Sequence, residues 1–185
     1  MFAARLGIGQ ITVCDKDVFE ESNLNRQLFS TIYTLGQSKA NVTREKLLDV
    51  NPLIKIVAEE CEINAQNALA LIEGHDLVID AMDNVKTRLV LESACEAAGM
   101  PLIFGAVSRW CGEVSAVFPG DKTVSKLYKN YDEEKTPSVL AVSAAAISGL
   151  QLTEAVNVLL DRAKLRKKLL VFDLSDYSLE VLGLE

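Results

Sequence analysis

Three acidic residues close short apolar runs: Asp15 after ITVC, Asp80 after LVI and Asp173 after LLVF. The carboxyl ends of strands are where ligands collect in doubly wound sheets. A carboxylate there suits ribose hydroxyls, and Asp15 fits that role, although Asp also closes strands for turn reasons. Two cations follow, Arg26 in SNLNRQ and Lys39 in GQSK. Phosphate groups need concentrated positive charge, which Arg supplies as a planar fork and Lys as a mobile point charge. The motif DAMDN then sets Asp80 and Asp83 three residues apart. A carboxylate beside a triphosphate most economically holds Mg2+. Each residue alone reads first as solvated surface charge. Their order along the chain, Asp, Arg, Lys, Asp, points to a nucleotide.

The elements that must position these residues alternate. Residues 11–14 form a short β-branched run, and 38–50 carry Ala40, Val42, Leu47 and Val50 at helical spacing. Asn51 and Pro52 stop that helix, because a residue before proline avoids the helical region. The pattern continues with a strand over 54–58, a helix over 65–73 ended by Gly74, and a buried strand over 77–80. A helix over 85–98 has Gly99 just past its end, followed by strands over 101–106 and 113–118. Pro119 and Gly120 mark a turn, and the polar stretch 120–137 reads as a crossover loop or as plain solvated surface. A small-residue-rich helix over 139–160 and strands over 169–174 and 179–182 close the chain. This alternation predicts an α/β fold, a Rossmann-like, doubly wound, mainly parallel sheet with an antiparallel C-terminal part. Residues 1–185 are expected to form one domain.

Composition narrows the partners. The 185 residues are 49% hydrophobic and 24% charged, with 19 basic against 26 acidic side chains and a net charge of −7. Such an acidic surface is a poor non-specific binder of nucleic acid or anionic membrane, while still allowing a small basic pocket. The apolar run 139–150 is interrupted by Ser and too short to span a bilayer. The N-terminal residues lack the pattern of a signal peptide, so a soluble, cytoplasmic protein is expected. Cys14, Cys61, Cys95 and Cys111 form no CxxC motif and read as four reduced thiols. His75 has no second histidine, and zinc is not expected.

Longer motifs carry a resemblance. DKDVFEESNLNRQ, GQSKA and DLVIDAMDN resemble the ThiF/MoeB/HesA group, the bacterial relatives of ubiquitin-activating enzymes. The likeness is strong over about residues 6–117 and returns in the helix from Val139 and the strand LLVFDL. It implies ATP-dependent adenylylation of the C-terminal glycine of a small ubiquitin-like sulfur-carrier protein ending in Gly-Gly, with release of pyrophosphate. By motif position, Asp15 would bind ribose, and Asn23, Arg26, Gln27 and Lys39 would serve the nucleotide and its phosphates. Asp83, immediately before Asn84, would hold Mg2+. Fixed cations opposite the α-phosphorus would offset the growing charge, with no side-chain nucleophile or base required. A homodimer is implied, with the helix over 139–149 rich enough in small residues for close packing.

Departures from the pattern matter too. Met1 to Gly7 resemble only the tail of the helix that follows the family's GxGGxGS-type phosphate loop. The first strand and that loop are therefore expected within about 30 residues upstream of Met1 that belong to the working protein, estimated from one strand–loop–helix unit. The chain alone is then expected to bind ATP poorly and to express badly. The strands QITVC and LVID would lie either side of the absent one. The paired CxxC zinc motifs and the crossover-loop cysteine of some members are also missing, so neither structural zinc nor sulfur transfer is expected. Rival readings are a non-catalytic or degenerate activating-enzyme subunit, a family member acting on a modified tRNA base, and an NAD-dependent oxidoreductase. The last leaves SNLNRQ, GQSK and DAMDN unexplained.

Overall fold

The computed structural model describes residues 1–129 and 138–184. They group into two compact units, Met1–Ile63 and Asn64–Glu185. The first contains α1 (Phe2–Arg5), β1 (Gln10–Cys14), a turn of 3-10 helix (Glu21–Asn23), α2 (Lys39–Val50) and β2 (Lys55–Glu59). β1 and β2 pair in parallel, with Ile11 opposite Ile56 and Cys14 opposite Glu59. Buried Ala4, Leu47, Ile54 and Ile56 form the core of this unit, with Ile11, Val13 and Phe29 packed against them. Ser38 caps α2 by accepting the Asn41 N–H at 3.3 Å, which satisfies one of the helix's orphan donors.

The second unit holds α3 (Ala68–Ile72), β3 (Val78–Ile79), α4 (Val85–Ala98), β4 (Leu102–Ser108) and β5 (Cys111–Val117). It continues with α5 (Thr123–Leu127), α6 (Ala141–Leu159), β6 (Lys168–Asp173) and β7 (Ser178–Gly183). The strand order is β3-β4-β5-β6-β7. β3 runs parallel to β4, and the three later pairs are antiparallel. The fold is α/β, and its antiparallel part begins already at β4. Leu102, Ile103, Phe104, Val114 and Ala116 are fully buried at the centre, and α6 packs over β4 and β5. Gly99 adopts the left-handed conformation, with φ of 69°, that ends α4. At Gly105 a Cβ would lie 2.2 Å from the Gln151 amide nitrogen, so glycine leaves room there for the side chain that α6 sends to the Asp80 carbonyl.

Several boundaries differ from the sequence pattern for local reasons. The helix expected over 65–73 shrinks to α3, because Asn64 Oδ1 accepts the N–H groups of Gln66 and Asn67 and makes a turn instead. The expected buried strand over 77–80 is the two-residue β3, and Ile79 is 40% exposed. A strand paired along one side only cannot be shielded like a central one. The polar stretch after Gly120 contains α5, anchored by buried Glu92, which accepts the N–H groups of Val124 at 2.7 Å and Ser125 at 2.9 Å. The remainder of the expected crossover, residues 130–137, lies outside the described residues. β1 and β3, expected to flank a further strand, belong to separate sheets and each has one hydrogen-bonded neighbour among the described residues. α6 is 19 residues long and by length and apolarity passes for a membrane span, unlike the shorter run read from the sequence. Its buried Gln151 and Glu154 are instead hydrogen-bonded within the unit.

Candidate nucleotide-binding site

In the first unit, β1 delivers Asp15 at its carboxyl end. The Asp15 N–H donates to the Glu59 carbonyl at 3.1 Å, which keeps the residue registered on β2. Its Oδ1 accepts the Asp17 N–H at 2.9 Å and turns the chain. Asp17 then reaches α2: its carbonyl accepts the Lys39 N–H at 3.0 Å, and its Oδ2 pairs with Lys39 Nζ at 3.3 Å. Lys39 is the first residue of α2, and its side chain is only 13% exposed. Lys39 therefore stands at the N-terminal end of α2, where the helix dipole favours an anion. Asp15, Asp17 and Lys39 form one connected group.

Asn23, Arg26 and Gln27 form another. Asn23 is buried; its Oδ1 accepts the Glu20 N–H at 3.0 Å. Its carbonyl accepts the N–H groups of Arg26 at 3.1 Å and Gln27 at 2.9 Å. Asn23 thus shapes the turn that carries the other two. The Arg26 guanidinium donates to the Ser22 carbonyl at 2.8 Å and Asn25 Oδ1 at 2.9 Å. Those bonds hold the fork while leaving other donors for a phosphate.

The two acids of DAMDN have opposite surroundings in the second unit. Asp83 is exposed, and its Oδ1 accepts only an amide N–H of neighbouring Asn84 at 3.2 Å among its described side-chain bonds. Asp80 is 1% exposed and is held from three sides. Arg88 donates to its Oδ2 at 2.7 Å, the Met82 N–H to its Oδ1 at 2.9 Å, and Gln151 to its carbonyl at 2.7 Å. The same guanidinium also donates to the carbonyls of Gly105, at 2.5 Å, and Met82, and it lies 5.4 Å from the Phe104 ring centre. Asn84 meanwhile caps α4 by accepting the Thr87 N–H at 2.8 Å. Residues 80–84 are therefore pinned at both ends, with Asp83 presented between the pins. Arg88 and Gln151 were not among the residues singled out by motif. An arginine inside the apolar stretch of α4 was the only signal for the first.

Burial pushes the Asp80 carboxyl up to about 6, against the opposing pull of Arg88 and the Met82 N–H. The groups facing it are Arg88 and Cys95 from α4, and Glu113 from β5 stands near the same guanidinium. An unfolded aspartate titrates near 3.8, so the folded state holds this proton more tightly. Its contribution to stability is present below the unfolded value and is lost as pH rises through about 6. The expected result is that stability relative to Asp80→Asn declines by about 3 kcal/mol between pH 4 and 7. Urea unfolding of both proteins across that window checks it; parallel pH profiles would show a normal carboxyl.

The third strand-end acid does something else. Asp173 accepts the Cys111 thiol at 3.2 Å and the Ser175 N–H at 2.8 Å. Bonds from Ser175 and Cys111 hold its carboxyl below the usual range. Among the described residues no three His, Cys, Asp or Glu side chains gather as a metal cage. A solvent-facing carboxylate such as Asp83 still fits Mg2+, which keeps waters and binds with substrate phosphates rather than inside protein alone.

The model of the ThiF family matches residues 1–184. This chain belongs to the ThiF family. It is 31% identical over 186 residues to the SAMP-activating enzyme E1 of Haloferax volcanii, covering 97% of this chain and 69% of that protein. It is 33% identical over 181 residues to the sulfur carrier protein adenylyltransferase of Thermus thermophilus, covering 90% of this chain and 66% of that one. Against other curated relatives it spans less than half of their length, down to 41%. Among solved structures, E. coli MccB with AMPCPP and MccA superposes with a TM-score of 0.82 at 17% identity, over 99% of this chain and 59% of MccB. PaaA superposes with a TM-score of 0.80 over 98% and 58%. These likenesses establish the ThiF-type fold that the motifs implied.

Proposed function

We propose that the chain belongs to an enzyme that adenylylates the C-terminal glycine of a small ubiquitin-like sulfur carrier. The observation that carries this is the ThiF match over residues 1–184, alongside relatives named for activating such carriers. In the proposed reaction a carrier carboxylate oxygen bonds to the α-phosphorus of ATP, and the bond to pyrophosphate breaks. Asp15 accepts the ribose hydroxyls, while Arg26 and Gln27, on the turn shaped by Asn23, and Lys39, at the start of α2, meet the phosphates. Lys39 is the best prepared of these, since Asp17 orients its ammonium beside the start of α2. Its charge and that of Arg26 oppose the charge growing on the phosphate oxygens. Mg2+ at Asp83, when bound, supplies further positive charge to the triphosphate. The surface of net charge −7 speaks against a large tRNA footprint.

The test is ATP–pyrophosphate exchange by the full-length protein with a carrier ending in Gly-Gly. Exchange that appears only with the intact carrier tail supports the reading. ATP binding without exchange would favour the degenerate-subunit reading instead. We further propose a cytoplasmic homodimer without zinc, because the cysteines form no CxxC pair. Light scattering should give twice the chain mass, and elemental analysis should give zinc well below one atom per chain.

A further inference from the structure

Outside the residues assigned to the nucleotide, two thiols meet. Cys14 is the last residue of β1, and Cys61 follows β2 at a bend, so the two are distant in sequence yet adjacent in the same unit. Their sulfur atoms lie 3.5 Å apart, and the Cys14 Sγ is 3.4 Å from the Cys61 carbonyl oxygen. Contacts on either side hold this approach. The Asp15 N–H donates to the Glu59 carbonyl at 3.1 Å, and Lys16 pairs with Glu62 at 3.0 Å. Cys14 lies opposite Glu59 in the register of the two strands, and the bend at Cys61, two residues further on, brings the second sulfur to the first. The sulfurs need to close by only about 1.5 Å to reach bonding distance, a movement available to side-chain rotation. Both cysteines are partly exposed, so a small oxidant reaches them.

We propose that Cys14 and Cys61 are a redox modification site, closing to a reversible disulfide when a peroxide is the oxidant. The thiolate of Cys61 attacks one peroxide oxygen; the O–O bond breaks, giving a sulfenic acid, and the departing oxygen leaves as water once protonated. The Cys14 sulfur then bonds to the Cys61 sulfur, the S–O bond breaks, and a second water carries away the Cys14 proton. Two thiols lose two electrons in total, and one peroxide gains them. The order follows from Cys14, whose thiol burial and the neighbouring Cys61 push up to about 12, making it the poorer first nucleophile. The other two cysteines are placed differently: Cys95 is buried, and Cys111 is exposed against Asp173. The linked form fastens the carboxyl ends of β1 and β2 directly before Asp15.

The test is hydrogen peroxide treatment of the full-length protein, followed by acid quench, alkylation of remaining thiols and peptide mapping without reductant. The expected product is a Cys14 peptide joined to a Cys61 peptide, two hydrogens lighter than their sum, which dithiothreitol separates. In Cys61→Ser the joined peptide is absent and Cys14 remains alkylatable. The proposal is overturned if both thiols stay alkylatable after Cys111 has been oxidised. It is equally overturned if Cys14 or Cys61 is found linked to a different cysteine or converted to sulfinic acid instead. The readout is independent of nucleotide activity, so the proposal stands or falls apart from the adenylylation reading.

Discussion

Lys39→Ala and Asp83→Ala, each in the full-length protein, are expected to lower carrier-dependent ATP–pyrophosphate exchange by about 10²–10³-fold. The size follows from the charge each removes. An ammonium opposing charge on a phosphate in a site that excludes water contributes about 2–4 kcal/mol more in the transition state than in the ground state. Lys39 is suited to this because Asp17 and the start of α2 hold it in place before any ligand arrives. Removing it also frees Asp17, leaving a second negative charge near the phosphates. Asp83 acts differently, since its carboxylate faces solvent and accepts a bond from Asn84. Its loss should raise the Mg2+ concentration needed for exchange as well as lowering the maximum. Neither change should unfold the chain, because Asp83 is exposed and the Asp17 carboxylate left by Lys39→Ala is 54% exposed and stays hydrated. Exchange within threefold of wild type in both variants, with unchanged melting, would remove these residues from the site.

How much of this was legible depends on the range of the interaction. The helical spacing from Ala40, the stop at Asn51 and Pro52 and the left-handed Gly99 are local, and local chemistry placed α2 and the end of α4 within a residue or so. Asp15 at a strand end and Lys39 at a helix start follow from the same short-range patterns. What escaped the sequence was set by distant partners. Gln151 reaches back across 71 residues to the Asp80 carbonyl, and Cys14 meets Cys61 across 47. Periodicity carries no trace of either contact. The polar stretch containing α5 read as a loop because its anchor, Glu92, sits on another helix. In DAMDN the motif position picked out Asp83 for the metal, and packing adds that Asp83 faces solvent while Asp80 is internal. The shortened α3 was the opposite case, a local Asn64 turn that helical spacing concealed.

Arg88→Met should destabilise the fold by about 3–5 kcal/mol, a large share of the roughly 5–15 kcal/mol that a domain has in total. The guanidinium is buried at 7% exposure and serves Asp80, Met82 and Gly105 together while standing over Phe104. Methionine can fill much of that volume but donates nothing. Asp80 would then be a buried carboxyl with no cation beside it, and its titration should move further up from about 6. The Met82 and Gly105 carbonyls would lose a donor at the same moment. If the cost is the stranded charge, it should shrink when the charge is removed too. The double variant Asp80→Asn with Arg88→Met should therefore be more stable than the sum of the single losses by about 1–3 kcal/mol. Urea unfolding of the wild type, both single variants and the double variant closes the cycle. Additive losses would mean that Arg88 acts through packing on Phe104 and not through Asp80. A loss below about 1 kcal/mol for Arg88→Met would mean that the loop bearing Asp83 is held by Asn84 and Gln151 without it.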